Sequence, residues 1–436
     1  MQTVITTVTE IGGRAVYPDV SADRLVRDAF CGNDAVYTIV NMAAKKFANI
    51  PKGVYKDTSY VKRYRAGLSN YSPILTRKQF KAIGEAVDNS EYLRLIKRPN
   101  PHIGQDSFLE ALYVSKEING EAFIWINRGD DTTLGDARYR IKPLELYWLP
   151  PQNIELITDD NDIWNVLAYT LDVNGVKIRL NKEDIIHWKS FNPVFDNYTR
   201  DHLRGLSPLK PGAKLLASAE ASKDAQVRMY QSDGAKGLLF NKTLDNLTPQ
   251  QKDQVQAVIN RKINNTDVKG QVATLQGEWG YINFGQSSID MQLLQAQSDT
   301  FSRLCNLYRV SPNLFLAGQT RDNLREARKD LITNKIMPDV MSLDDELNRV
   351  LSGTFGGQII VSDFSNLPEM QYEMGDMNII LRDMYDRGVI NANEYREMLG
   401  WEATGNGEHE QYYVSSNIMP ISEAAMPESN GFDDMV

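Results

Sequence analysis

The stretch VSPNLFLAGQTRDNLREARKDLITNKIMPDVMSLDDELNRVL, Val310 to Leu351, starts as an apolar turn and opens into a small polar loop, AGQTRDN. A long helical pattern follows, with Pro338 inside it. A proline in a helix removes one backbone donor and kinks or breaks the helix. Gly318 permits a tight turn. Gln319, Thr320 and Asn323 offer hydrogen bonds at low charge, and Arg321 and Arg325 flank Asp322. No nucleophile, metal cluster or phosphate-binding loop stands nearby in the sequence, so the loop and its broken helix call for a role other than catalysis.

Two long helical patterns of similar length lie upstream. One is SPLKPGAKLLASAEASKDAQVRMYQSDG, with Pro208 in a position suited to a first turn. The other opens on a capping box, Ser287 to Asp290, and runs to Tyr308 with Ile289, Leu293, Ala296, Phe301 and Leu304 at helical spacing. Between them, residues 237–286 read as a small α/β insertion. It comprises the strand GLLF, a helix with Thr248 as N-cap and Pro249 at N1, and the strands QVATLQ and WGYINFG. Two helices carrying a compact module at their far ends suggest a stalk with a head.

The N-terminal half reads as helices followed by strands. Residues 21–50 read as one helix stopped by Pro51, and GVYK follows as a strand. RKQFKAIGEAVDNSEYLRLIKR reads as mostly helical. QDSFLEALYVSKEING reads as a helix that stops at Asn119-Gly120. EAFIWINR, LELYWLP, NIELIT, IWNVLAYTLD, VKIRLN and DIIHWKS then alternate with turn signals, as a strand meander packed on the helices would. Trp125, Tyr147, Trp148, Trp164 and Trp188 fall in these strands and read as exposed aromatics of a packed sheet. From about Ser415 the chain is acidic and weakly periodic, as a tail is.

The composition bounds the function. The chain has 436 residues, enough for about two to four domains. It is 42% hydrophobic and 24% charged, ordinary values for a soluble protein. No apolar run reaches the ~18 to 20 residues of a membrane span, and the N-terminus lacks the layout of a signal peptide. Cys31 and Cys305 make no disulfide framework and suit a reducing cytoplasm. A net charge of −9 argues against tight nucleic-acid binding, but not against a surface that nucleic acid slides past.

The motifs of catalysis are missing. His102, His187, His202 and His409 are scattered, without a pair at zinc-ligand spacing. His187, in the apolar run DIIHW, reads as a structural histidine. Phosphate-binding and nucleophile-elbow motifs do not occur. Asp130-Asp131 and Asp159, Asp160 and Asp162 fall in expected hairpin turns, where local hydrogen bonding favours Asp and Asn. We therefore expect no enzyme activity, metal or cofactor.

The order of motifs resembles the HK97-type portal proteins of tailed bacteriophages. The resemblance rests on LIKRPNPHIGQDSFLEALYVSKEINGEAFIWI, LYWLPPQNIEL, EDIIHWKSF, GLSPLKPGAKLLASAEASKDAQVRMYQSDGAKGLL, and FSRLCNLYRVSPNLFLAG running into KIMPDVMSLDDELNRVL. It covers roughly residues 90–350. It implies an α+β subunit with an α/β wing at 1–206 and stem helices at 207–236 and 287–310. A clip would occupy 237–286, and the tunnel loop and kinked tunnel helix 311–351. A wing return strand would lie within 352–368, and a helical crown with an acidic tail in 369–436.

The resemblance further implies a dodecameric ring at one capsid vertex of a virion assembled in the host cytoplasm. DNA would enter and leave through its channel. The terminase, the major capsid protein and a head-completion adaptor or tail proteins would be partners, and no membrane would be involved. Gly318, Gln319, Thr320, Arg321, Asp322, Asn323 and Arg325 would then face the DNA. Gln250, Lys252, Asp253, Gln256 and Arg261 would dock partners on the clip. Other readings stay open: a ring-forming virion adaptor without DNA in its lumen, and an acid-dependent nuclease. Arg321, Arg325, Arg328 and Lys329 read equally as DNA contacts or as a solvated or intersubunit-paired helix face.

Overall fold

Val36, Ile39, Val40, Ala43, Ala44 and Phe47 repeat at three- and four-residue spacing, and all are buried along one face of a helix. In the computed structural model of the chain this is α1, Asp34–Ala48. The Asn33 side chain caps it, accepting hydrogen bonds from the backbone N of Ala35 at 3.1 Å and of Val36 at 3.3 Å. That cap corrects the single helix expected over 21–50. Leu25–Cys31 is a π-helical segment, and a new helix starts after Asn33. The structure describes residues 13–16, 25–56, 87, 90–129, 141–159, 162–196, 200–231, 237–241, 250, 279–283, 287–364, 367–399, 401 and 403–413.

The remaining elements follow in chain order. β1 is Gly13–Val16, β2 Lys52–Tyr55, α2 Glu91–Lys97 and α3 Gln105–Asn119. β3 is Glu121–Asn127, β4 Glu145–Leu149, β5 Ile154–Asp159, β6 Val166–Val173, β7 Val176–Asn181 and β8 Ile185–Lys189. α4 is Ala213–Gln231, β9 Gly237–Asn241, β10 Trp279–Asn283 and α5 Ser287–Leu307. α6 is Arg321–Asp330, α7 Met337–Leu351, β11 Ile359–Ser362, α8 Pro368–Asp386 and α9 Ala392–Met398. They form two compact units: Met1–Pro208 with Tyr308–Val436, and Leu209–Leu307.

In the first unit the expected meander divides between two antiparallel sheets. One has the order β4-β3-β8 and the other β1-β5-β6-β7. Phe123, Leu149, Ile154, Leu156, Tyr169, Ile185 and Leu203 make one core that draws on both sheets. β2 pairs with β11, from Lys52 opposite Ser362 to Tyr55 opposite Ile359. α1 packs on α3, and the Phe47 ring lies 4.5 Å from Tyr113 and 5.8 Å from Trp188. Trp188 is therefore no exposed aromatic. It is fully buried, and its Nε1 donates to Ser342 Oγ at 3.0 Å.

The α3-to-β3 turn is held by close backbone packing. Gly120 has φ +80° and closes α3, as the Asn119-Gly120 signal implies. A side chain on Gly120 would place its Cβ 2.3 Å from the Leu206 carbonyl carbon. Next to it, His187 behaves as the structural histidine expected. Its Nε2 lies 3.0 Å from Glu121 Oε2. Arg204 pairs with the other Glu121 oxygen at 2.5 Å, and the Gly205 N–H donates at 2.9 Å.

The second unit contains α4 packed along α5, and the ribbon β9-β10 pairs antiparallel from Gly237 opposite Asn283 to Trp279 opposite Asn241. α5 starts at Ser287, where the capping-box signal lies. α4 starts later than expected, at Ala213, with residues 208–212 in turns. Pro211 accounts for the delay. It restrains Lys210 from helical geometry, so Pro208 cannot sit in the first turn of a continuous helix. The helix expected after Thr248 is described only at Gln250, which is helical and exposed. The strand QVATLQ, Asp130-Asp131, most of the helix expected over 77–98 and the tail after Ser415 lie outside the described residues.

Candidate functional site

Residues 321–351 do form a helix with a break, and the break has a specific form. Between α6 and α7, Leu331–Ile336 is π-helical, and Pro338 stands in the first turn of α7. Pro338 offers no N–H to the preceding turn, and the wider π turn accommodates the loss.

Buried charge anchors this joint. Lys335 Nζ pairs with Glu117 Oε2 at 2.6 Å and with Asp339 Oδ2 at 3.4 Å. Lys116 Nζ reaches Asp339 Oδ1 at 3.0 Å, and Arg309 approaches the same oxygen at 3.5 Å. Burial pushes the Asp339 carboxyl upward, but Lys335, Lys116 and Arg309 outweigh it and hold it below the usual aspartate range. One helical turn further on, Asp344 accepts from Lys52 Nζ at 2.5 Å and from Ser362 Oγ at 2.5 Å, which ties α7 to β2 and β11. Sequence reasoning missed this network. Its one visible signal was the pair Lys335 and Asp339, at i,i+4 among apolar residues.

α6 is held differently. Among its residues only Ala327 is buried. It starts at Arg321, because Thr320 Oγ1 accepts from the Asn323 N–H at 3.3 Å. Asn323 Nδ2 reaches back to Gln319 Oε1 at 3.4 Å. The loop expected near 317–323 is therefore shorter, and Arg321, Asp322 and Asn323 belong to the first helical turn. Gly318 adopts φ +80°, with open space where a Cβ would stand. Gly318, Thr320, Arg321, Asp322 and Asn323 are exposed, while Gln319 and Arg325 are half-buried. Beside them is a groove of about 800 Å³, lined by Gln319, Arg321, Asp322, Leu324, Arg325 and Arg328 and closed by Pro368 and Glu369 at the start of α8. Glu369 is engaged by Lys46 at 2.5 Å.

A capped, polar helix tip on a firmly bolted base is an arrangement for presenting a loop. The sequence pattern of the phage portal protein family matches residues 34–400. The chain belongs to the phage portal protein family.

The fold of this portal protein recurs in solved structures. The neck of a native gene transfer agent particle, determined with C12 symmetry, matches with a TM-score of 0.62 at 21% identity, over 91% of this chain and 98% of that one. An HK97-family phage portal protein from Corynebacterium diphtheriae matches with a TM-score of 0.50 at 12% identity, over 82% of this chain and 99% of the other. An uncharacterized protein of Rickettsia bellii is 23% identical over 361 residues, 80% of this chain and 82% of its own length. One from Rickettsia felis is 22% identical over 346 residues, 77% and 78% of the two lengths.

Portal proteins are structural, ring-forming subunits, and this one is an α+β member of that family. Among the described residues no group of three or more His, Cys, Asp or Glu side chains is placed to hold a metal ion. No helix among them is long and apolar enough to cross a membrane. Asp162, one of the acidic residues considered for chemistry, accepts from the Trp164 N–H at 2.9 Å within a turn. Of the docking residues expected on the insertion, Gln250 is exposed. Lys252, Asp253, Gln256 and Arg261 lie outside the described residues.

Proposed function

We propose that this portal protein forms a dodecameric ring at a unique capsid vertex, through which double-stranded DNA enters and leaves. The observation that carries this reading is the exposed, low-charge tip at Gly318–Asn323, set on a helix whose base is bolted down by buried ion pairs. A ring of identical subunits points one such tip per copy at its axis, with Arg325 one turn behind. A duplex must pass there without being held, so polar groups and few cations suit the site. The acidic balance of the chain, −9, supports the same reading, since negative charge near a lumen opposes sticking of the phosphodiester backbone. The C12 symmetry of the similar gene transfer agent neck supports the subunit number.

In this scheme 1–206 is the wing, 207–236 and 287–310 are the stem, 237–286 is the clip and 311–351 carries the tunnel loop and tunnel helix. Residues 352–368 return through the wing, and 369–436 form the crown and tail. The clip, with Gln250, Lys252, Asp253, Gln256 and Arg261, docks the terminase during packaging and a head-completion adaptor or tail protein afterwards. The major capsid protein surrounds the ring in the virion, and assembly takes place in the host cytoplasm. The role is structural and takes no cofactor.

Negative-stain imaging of the purified protein tests the proposal. A closed ring with an axial hole and a protruding stalk is expected. A protein that stays monomeric or dimeric across salt concentrations would overturn it, and a closed ring assembled around no DNA in the particle would favour a connector role instead.

A further inference from the structure

We infer that α6 joins neighbouring subunits, the basic edge of the helix in one copy docking on the acidic edge of the same helix in the next. The inference rests on the ring reading and goes beyond it. α6 has three edges of different chemistry. Leu324, Ala327 and Leu331 recur at i, i+3 and i+7 and turn toward their own unit, where Ala327 and Leu331 are buried. Arg321, Arg325 and Arg328 follow at i, i+4 and i+7 on a second edge. Asp322, Glu326 and Asp330 follow at i, i+4 and i+8 on a third. Arg321, Arg328, Asp322 and Glu326 are exposed.

A ring closed by rotation needs two different surfaces on each copy that fit one another. Opposite charges on two edges of one helix meet a strict geometric condition. Both edges lie at the same height and radius in every subunit, so rotation carries the basic edge of one toward the acidic edge of the next. All three arginines of the basic edge line the 800 Å³ groove, against Asp322 alone from the acidic edge, so the groove is a concave and mainly basic receiver for a neighbouring helix. DNA is a poorer occupant for the whole helix, because an acidic edge of equal length runs beside the arginines and repels phosphate. Arg321, at the tip, is left for DNA, Arg325 is within reach of either partner, and Arg328, about two turns from the tip, faces the neighbour.

The test uses full-length protein in two variants, Arg325→Glu with Arg328→Glu, and Asp322→Lys with Glu326→Lys. Far-UV circular dichroism establishes that each is folded, and native mass spectrometry reads assembly. Each variant alone is expected to lose the ring. The quadruple variant, with both edges reversed, is expected to regain it, and an equimolar mixture of the two should co-assemble. Should a reversed variant not fold, Arg328→Gln and Glu326→Gln replace it, and each is expected to lower the salt concentration at which rings dissociate. Rings formed in wild-type yield by either single-edge variant would overturn the inference. So would intact rings that have lost only DNA binding, which would assign the arginines to phosphate. A wild-type protein that forms no ring under any condition would instead overturn the ring reading itself.

Discussion

Lys335 and Glu117 stand 218 residues apart in sequence and pair at 2.6 Å, with side chains 2% and 5% exposed. The pair joins the π-helical turn before α7 to the last turn of α3. A buried charge deprived of its partner costs far more than the pair contributes. Lys335→Met is therefore expected to destabilise the unit by about 3–5 kcal/mol, while Lys335→Met combined with Glu117→Met recovers much of the loss. Denaturant unfolding followed by tryptophan fluorescence, with Trp188 in the same core, measures both.

Gly120 and Gly318 share φ +80° but not their surroundings. At Gly318 a Cβ meets open space, so Gly318→Ala costs only the left-handed backbone penalty of about 1–2 kcal/mol. At Gly120 a Cβ would also overlap the Leu206 carbonyl at 2.3 Å, and Gly120→Ala is expected to be considerably worse. Thermal unfolding of the two variants side by side gives the order.

The cluster of His187, Glu121 and Arg204 predicts loss of stability in acid. Burial lowers the His187 pKa below its ordinary 6.5, although Glu121 pulls it the other way. The unfolded chain then takes up the proton first, so stability falls as pH drops below about 6.5. Burial pushes Glu121 upward, but Arg204, His187 and the Gly205 N–H outweigh it and hold the carboxyl below its ordinary 4.5. Its contribution is present above that value and is lost as pH falls through the lower, folded one. Unfolding between pH 7 and pH 3 should show both stages, and His187→Gln should remove the upper one.

Arg321, exposed at the tip of α6, is expected to matter for DNA and not for folding. Arg321→Ala should change stability by no more than ~1 kcal/mol, as surface charges do. Each cation contacting phosphate releases about one counterion, so the variant should flatten the salt dependence of weak DNA binding by roughly one unit of slope. Fluorescence anisotropy with duplex DNA at several salt concentrations reads the slope. An unchanged slope would place Arg321 away from the duplex.

Local signals in the sequence were enough for α1 after Asn33, for α3 up to Gly120, for α5 from Ser287 and for most strands between Glu121 and Lys189. Apolar period, caps and turn residues act over a few neighbours, so they can be read without knowing the rest of the chain. The turn at Gly318 was legible for the same reason, whereas the Thr320 cap that starts α6 inside the expected loop was not read from the sequence. Long-range pairing decided the rest. The division of the strands into two sheets, the β2-β11 ladder and the Lys52–Ser362 contact across 310 residues depend on partners the local pattern does not name. The π turn and the charges at Lys116, Glu117, Lys335 and Asp339 belong to the same class. A charge can be buried only where another element brings its counter-charge, and only the folded chain brings α3 and α7 together.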